Sequence, residues 1–244
     1  MKTNDGETRL NQAGIPTTNH LLVALPDVDL RRLAPDLELV TLERGEVLYN
    51  VGERIRYAYF LNRNTLVSVI FAMENGASIE AGVVGSEGMV SIQAFLRPEV
   101  YPARIVTQIG GSAMRISADA LRDGFNRGGV MQDMLLRYMQ AVVTQICQTA
   151  ACNHLHTVEQ RLSRWLLTIH DRVSGEIPLT HELISRRLGA HRSSVNEAAK
   201  VFRSEGLIRY RRGTITIVDP DALSSITCEC YGIIKKLYDS ALVV

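Results

Sequence analysis

Two sets of side chains in this sequence have the types and spacing to do chemistry. Arg192, Ser193, Asn196, Glu197 and Lys200 fall on one face of a helix if Val195, Ala198, Ala199 and Phe202 point inward, because successive residues turn by about 100°. On such a face Arg can fork onto guanine, Asn onto adenine, and Glu can accept from the cytosine amino group. His191 precedes this face, and Ser194, Lys200 and Thr180 suit phosphate oxygens. The second set is Cys147, Cys152, His154 and His156, followed far downstream by Cys228 and Cys230. Cys152 and His156 share a face only if their helix continues, and Cys147 lies on another. Buried thiols and helix-capping imidazoles account for them, so no metal is expected. On a helix, Cys228 and Cys230 point to nearly opposite sides and cannot chelate together, leaving only isolated redox thiols open.

Other catalytic and metal classes find little support. No His lies between His20 and His154 and no Cys precedes Cys147, which excludes a cupin-like His metal site or a His- or Cys-held haem upstream. No Ser-His-Asp arrangement, phosphate loop or dinucleotide fingerprint is evident, so an enzyme is not expected.

The elements that must position the first set are legible. Thr180 caps a first helix with Glu182 in its first turn, Ile184 and Leu188 form its inner face, and Ser185 is small where helices cross. Gly189 permits the tight turn into the second helix, which Gly206 ends. Leu207–Tyr210 and Thr214–Val218 then read as two strands joined by Arg211-Arg212-Gly213, giving a winged helix-turn-helix over about Leu179–Glu205 and its hairpin. Arg209, Arg211 and Arg212 on that wing suit phosphate contact. Between His156 and Asp219 there are 11 Lys and Arg against 7 Asp and Glu, whereas the whole chain carries only +1. The basic charge is thus concentrated around the presumed groove reader.

Upstream, residues 1–18 are polar and read as a flexible arm. From Val40 to Ile116, short runs rich in Val, Ile, Tyr and Thr alternate with turn residues, and Asn75-Gly76 is the clearest hairpin turn. That is the pattern of a small antiparallel β-barrel or jelly roll. Helical spacing then runs almost continuously from Ser117 to Val173. Its apolar stripe of Met131, Leu135, Tyr138, Val142 and Ile146 suits packing on the barrel and on a partner chain. A terminal face of Leu223, Ile226, Ile233, Ile234 and Leu237 is expected to pack on the winged domain. The fold class is α+β, divided as 1–18 arm, 19–126 effector-sensing barrel, 127–155 long dimerisation helix and 156–244 winged helix-turn-helix with a C-terminal helix. With 244 residues, no signal-peptide pattern and no long apolar run, the expectation is a cytoplasmic protein with reduced thiols and no membrane contact.

Barrel, long helix and winged helix-turn-helix stand in the order of the Crp/Fnr superfamily, which the chain resembles from about Asn19 to Tyr231. Leu42–Tyr49, Gly85–Met89 and Ser163–Leu167 also resemble that family. The resemblance implies a cyclic-nucleotide-binding-like barrel and a homodimer that regulates transcription by reading a pseudo-palindromic site in double-stranded DNA. Arg192, Ser193, Asn196 and Glu197 would be its base readers, and RNA polymerase and a small-molecule effector are further partners it admits. Ser193 stands where the family commonly has Glu, so its sequence preference does not transfer. Nucleotide-binding members hold ribose with a Glu after a Gly and phosphate with an Arg-Ser/Thr-Ala motif. Here the corresponding segments are Gly88-Met89-Val90 and Tyr101-Pro102-Ala103, with Arg104 beside the latter. Neither Met nor Tyr makes a cationic phosphate clamp, so cyclic AMP is not expected, no cofactor is assigned, and the effector is unidentified. The N-terminal cysteine cluster of the iron–sulfur branch is also absent. The alternative is a small-molecule or redox-sensing module that acts through protein contacts.

Overall fold

A computed structural model of the chain describes residues 14–96, 100–179 and 181–241. Helices α1 (His20–Ala24) and α2 (Asp27–Leu33) precede strands β1 (Glu38–Leu42), β2 (Val47–Tyr49), β3 (Tyr57–Leu61), β4 (Leu66–Ala72), β5 (Ser78–Val84) and β6 (Met89–Val90). A one-turn α3 (Gln93–Leu96) leads to β7 (Arg104–Ile109) and β8 (Gly111–Ser117). The strands form two antiparallel four-stranded sheets, β1-β8-β3-β6 and β2-β7-β4-β5. The barrel is therefore an open jelly roll rather than a closed cylinder. At the β4–β5 turn Gly76 takes φ +82° and Asn75 Oδ1 accepts from the Ala77 amide, as the Asn-Gly pair demands.

Residues 14–18 depart from the expected flexible arm; the rest of that arm lies outside the described residues. Ile15 is buried in the jelly-roll core, and Thr17 Oγ1 donates to Asn62 Oδ1 at 3.0 Å, while the Thr18 amide donates to the same oxygen. One apolar residue and one buried amide partner are enough to anchor an otherwise polar segment.

The expected continuous helix is three: α4 (Ala118–Asn126), α5 (Val130–Leu155) and α6 (Val158–His170). Gly128 and Gly129 both have positive φ and separate the first two. A capping box between Thr157 and Gln160 starts the third. On α5, Met131, Leu135 and Tyr138 are buried in the chain's own jelly-roll core, which corrects their assignment to a dimer interface. Val142 is half-buried against the same core, and Ile146 alone of the five is largely exposed. The exposed apolar residues of α5 instead follow Leu136, Val143 and Ile146. Apolar residues occupy two faces of this helix, and periodicity does not say which face meets which partner.

The C-terminal domain contains β9 (Ile177–Pro178), α7 (His181–Leu188), α8 (Arg192–Ser204), β10 (Ile208–Arg211), β11 (Thr214–Ile217) and α9 (Pro220–Ser225). Its sheet runs β10-β11-β9 around a second core that includes Trp165, Ile184, Val195, Phe202 and Leu223. Leu223 of α9 is buried in that second core as expected, but α10 (Cys230–Ala241) touches it mainly through Tyr231 at its start. It returns along α5, burying Ile234, Tyr238 and Ala241 in the first core, with Tyr238 Oη donating to Gln145 Oε1 at 2.6 Å. Ile226 and Ile233 remain partly exposed.

Candidate nucleic-acid interface

The helix-turn-helix is built by its inner faces. Val195, Ala198, Ala199 and Phe202 of α8 are buried against Ile184 and Leu188 of α7 and against α6. Gly189 takes φ +56° in the turn, and the Ala190 amide bonds Ser185 O at 3.1 Å. Packing of the inner face fixes what the outer face presents. His191 is the N-cap of α8, and His191, Arg192, Ser193, Glu197 and Lys200 are all exposed. Ser194 and Asn196 are half-buried, and Asn196 Oδ1 is enclosed without a hydrogen-bond partner. Thr180 lies outside the described residues.

The wing is a tight hairpin. Arg211 pairs with Thr214 across a two-residue turn in which Arg212 (φ +48°) and Gly213 (φ +81°) are both left-handed, the requirement of a type I′ turn. Gly meets that requirement freely and Arg212 only at a cost, which places a guanidinium at the tip. Arg209, Arg211 and Arg212 are exposed. The structure thus brings every described residue of the expected set except Asn196 and Ser194 to open surface.

A second charged constellation, which sequence inspection missed, joins the jelly roll to this domain. Glu80 on β5 is buried, with Oε2 3.3 Å from Arg187 Nε of α7 and Oε1 accepting from Trp165 Nε1 of α6 at 3.3 Å. Ser68 donates to the same carboxylate, and the Arg187 guanidinium lies 5.1 Å from the Trp165 ring centroid. Burial pushes the Glu80 carboxyl above the usual carboxylate range and pulls Arg187 down, so desolvation opposes both charges even as they attract. A parallel pair joins Arg172 Nε, just after α6, to Glu87 Oε1 at 2.6 Å. A cavity of about 220 Å³ between the domains is lined by His20, Glu87, Arg172, Lys235 and Tyr238, among others. Arg161 donates to Leu188 O at the end of α7, tying α6 to the turn. The only sequence signal for these contacts was a carboxylate on a barrel strand, which reads by itself as solvent-facing.

The residues expected to line an effector site are placed differently. Met89, Val90, Tyr101 and Ala103 are buried in the jelly-roll core, Tyr101 stacking on Tyr49 at 5.1 Å, while Arg104 is exposed at the start of β7. Burial raises the Tyr101 hydroxyl to about 12. Gly88 is covered by Tyr138 of α5, whose hydroxyl accepts from the Met89 amide at 3.0 Å and donates to Met89 O at 3.1 Å. An added Cβ at position 88 would collide with that hydroxyl.

Residues 160–226 match the family model of the Crp-like helix-turn-helix domain. A search of the curated proteins finds no relative. Among solved structures, FixK2 from Bradyrhizobium japonicum superposes with a TM-score of 0.67 at 13% identity, over 79% of this chain and 98% of that one. A CRP-family transcriptional regulator from Thermus thermophilus gives 0.62 at 20% identity over 77% and 95%, and CooA from Carboxydothermus hydrogenoformans, a mutant form, 0.60 at 13% over 91% and 99%. At these identities the likeness is one of fold, and the DNA-binding domain is assigned by its own match. No helix among the described residues is long and apolar enough to cross a membrane. The chain thus carries a Crp-like helix-turn-helix domain, a DNA-binding unit, behind a jelly roll and long helix whose fold is that of these solved structures.

Proposed function

We propose that two copies of the chain read a pseudo-palindromic duplex in the cytoplasm, each α8 entering a major groove and each wing meeting the flanking phosphates. Arg192, Ser193, Asn196 and Glu197 are the base readers, and Lys200, Ser194, His191, Thr180, Arg209, Arg211 and Arg212 contact the backbone. The observation that carries this reading is the exposed face of α8, where Arg192, Ser193, Glu197 and Lys200 stand opposite a fully packed inner face. The second copy is seated along α5, where Leu136, Met139, Val143, Ile146 and Ala150 recur with the 3,4 alternation of a coiled-coil seam. Leu136, Val143 and Ile146 are exposed in the single chain, with Val143 and Ile146 each at 52%.

The jelly roll carries the signal, and cyclic AMP is not its agent. Buried Met89 and Tyr101 stand where a nucleotide would need an acid and a guanidinium. Its influence passes to the reading head through the Glu80–Arg187–Trp165 junction.

Selection of full-length protein on a pool of random duplexes at moderate salt tests this. An enriched inverted repeat is expected, and a pool that stays random overturns it. Sedimentation gives the dimer arm: Val143→Glu places a charge in the seam and is expected to yield monomers, whereas an unchanged sedimentation coefficient rejects the α5 interface.

A further inference from the structure

Four side chains converge at the far end of α5, where the long helix gives way to the DNA-binding domain. The ligand atoms of Cys152, His156, Cys228 and Cys230 all lie within 4.8 Å of one another. Helix α5 persists long enough for the His156 amide to bond Cys152 O, so these two residues, one turn apart, project to the same side. Cys228 lies in the loop before α10 and Cys230 opens that helix. The two are therefore not on opposite sides of one helix, and the expectation that they cannot chelate together fails on that point.

The distances have a specific meaning. Cys152 Sγ and Cys228 Sγ are 3.6 Å apart, as are Cys230 Sγ and His156 Nδ1. A tetrahedral zinc with Zn–S of about 2.3 Å and Zn–N of about 2.0–2.1 Å has S···S edges near 3.8 Å and S···N edges near 3.5 Å. Two edges thus already have the length of a Cys3His tetrahedron. The three buried thiols form a cluster of their own, apart from both apolar cores.

The surroundings match those of a metal site. His156 Nε2 lies 3.3 Å from Glu229 Oε2, which leaves Nδ1 toward the thiols, as a carboxylate behind a metal-bound imidazole does. Gln148 Nε2 donates to Cys230 Sγ at 3.1 Å. Three thiolates around a divalent ion leave a net charge of −1, and the Arg164 and Arg161 guanidiniums lie near enough to Cys152 to offset it electrostatically.

We propose that Cys152, His156, Cys228 and Cys230 hold one zinc ion. Binding forms three Zn–S bonds and one Zn–N bond and releases three thiol protons to solvent, with no change of oxidation state. The ion fastens the start of α10 to the end of α5 across the His156–Thr157 break that leads into α6. It thereby sets how the reading head is held on the dimerisation helix.

The test is metal content of the full-length chain, purified reduced and without chelator and reconstituted with zinc. About one zinc per chain by mass-spectrometric elemental analysis is expected for such a site. Cobalt(II) in its place is expected to give the visible bands of a tetrahedral thiolate complex. Cys230→Ser and His156→Ala should each lose at least nine-tenths of the bound zinc, while Cys147→Ser, whose thiol is exposed outside the cluster, should retain it. The cobalt spectrum of the unaltered chain decides the matter even if a variant fails to fold. Substoichiometric zinc after reconstitution, a Cys152–Cys228 disulfide by peptide mapping, or stoichiometric iron with acid-labile sulfide would each overturn the proposal. None of these readouts involves DNA, so their failure is distinct from failure of the DNA-reading assignment.

Discussion

The reading face and the domain junction both rely on arginine, in opposite ways. Arg192, Arg209, Arg211 and Arg212 are exposed and solvated, and in the proposed complex a phosphate or base edge replaces that water. Arg172 and Arg187 are buried, each already committed to a carboxylate of the jelly roll. An exposed guanidinium contributes little to the folded chain and much to its complex. A buried one contributes little net stability as a pair but makes the loss of its partner expensive. Recognition and domain arrangement are therefore separable by mutation.

The largest effect that follows is at the junction. Glu80→Ala removes the acceptor of Ser68 and Trp165 and leaves a cavity beside buried Arg187, a loss of about 3–5 kcal/mol. Urea denaturation should show it, with early release of the C-terminal domain in limited proteolysis. The double variant Glu80→Leu/Arg187→Met, which refills the site with apolar side chains, should recover most of that loss, and no recovery would reject the junction as its cause. Next comes Arg192→Ala, expected to weaken the selected site by about 1–3 kcal/mol and relax preference at one base position, with the denaturation midpoint unchanged. Equal weakening on all duplexes would remove Arg192 from the base readers. Smaller still, Arg212→Ala should weaken every duplex alike, by about 1 kcal/mol or less at physiological salt, and reduce the salt slope by about 1. Sequence-dependent loss there would contradict a phosphate role.

The smallest effect is one of pH. Because burial raises Glu80 above its ordinary carboxylate value of 4.5, the folded chain holds that proton more tightly than the unfolded one. This contribution is full below pH 4.5 and is lost as pH rises through the raised value. Denaturation of the parent chain and of Glu80→Gln at successive pH values should show that extra decline only in the parent. Identical slopes would mean that Glu80 titrates normally.

Local features were legible and distant ones were not. The helix-turn-helix, its wing and the Asn75-Gly76 hairpin follow from residues within a few positions of each other, where spacing and turn chemistry decide the outcome. The apolar stripe of α5 was visible, but Met131, Leu135 and Tyr138 turned to the chain's own core, because the helix is apolar on two sides. Glu80 found Arg187, and Thr17 found Asn62, through the tertiary fold alone. The cysteines were misjudged for a local reason: Cys228 and Cys230 were placed on one helix that in fact begins at Cys230.

The Tyr138 hydroxyl has a consequence for how the molecule is made. Among the described residues strand β6 pairs only with β3, and the Met89 amide and carbonyl are completed by a side chain from α5. On the ribosome all eight strands emerge before that tyrosine does. Until α5 arrives, the nascent jelly roll carries an open edge with a donor and an acceptor ready to pair with another chain. The helix that completes each jelly roll thus also seals the half-made one against premature association.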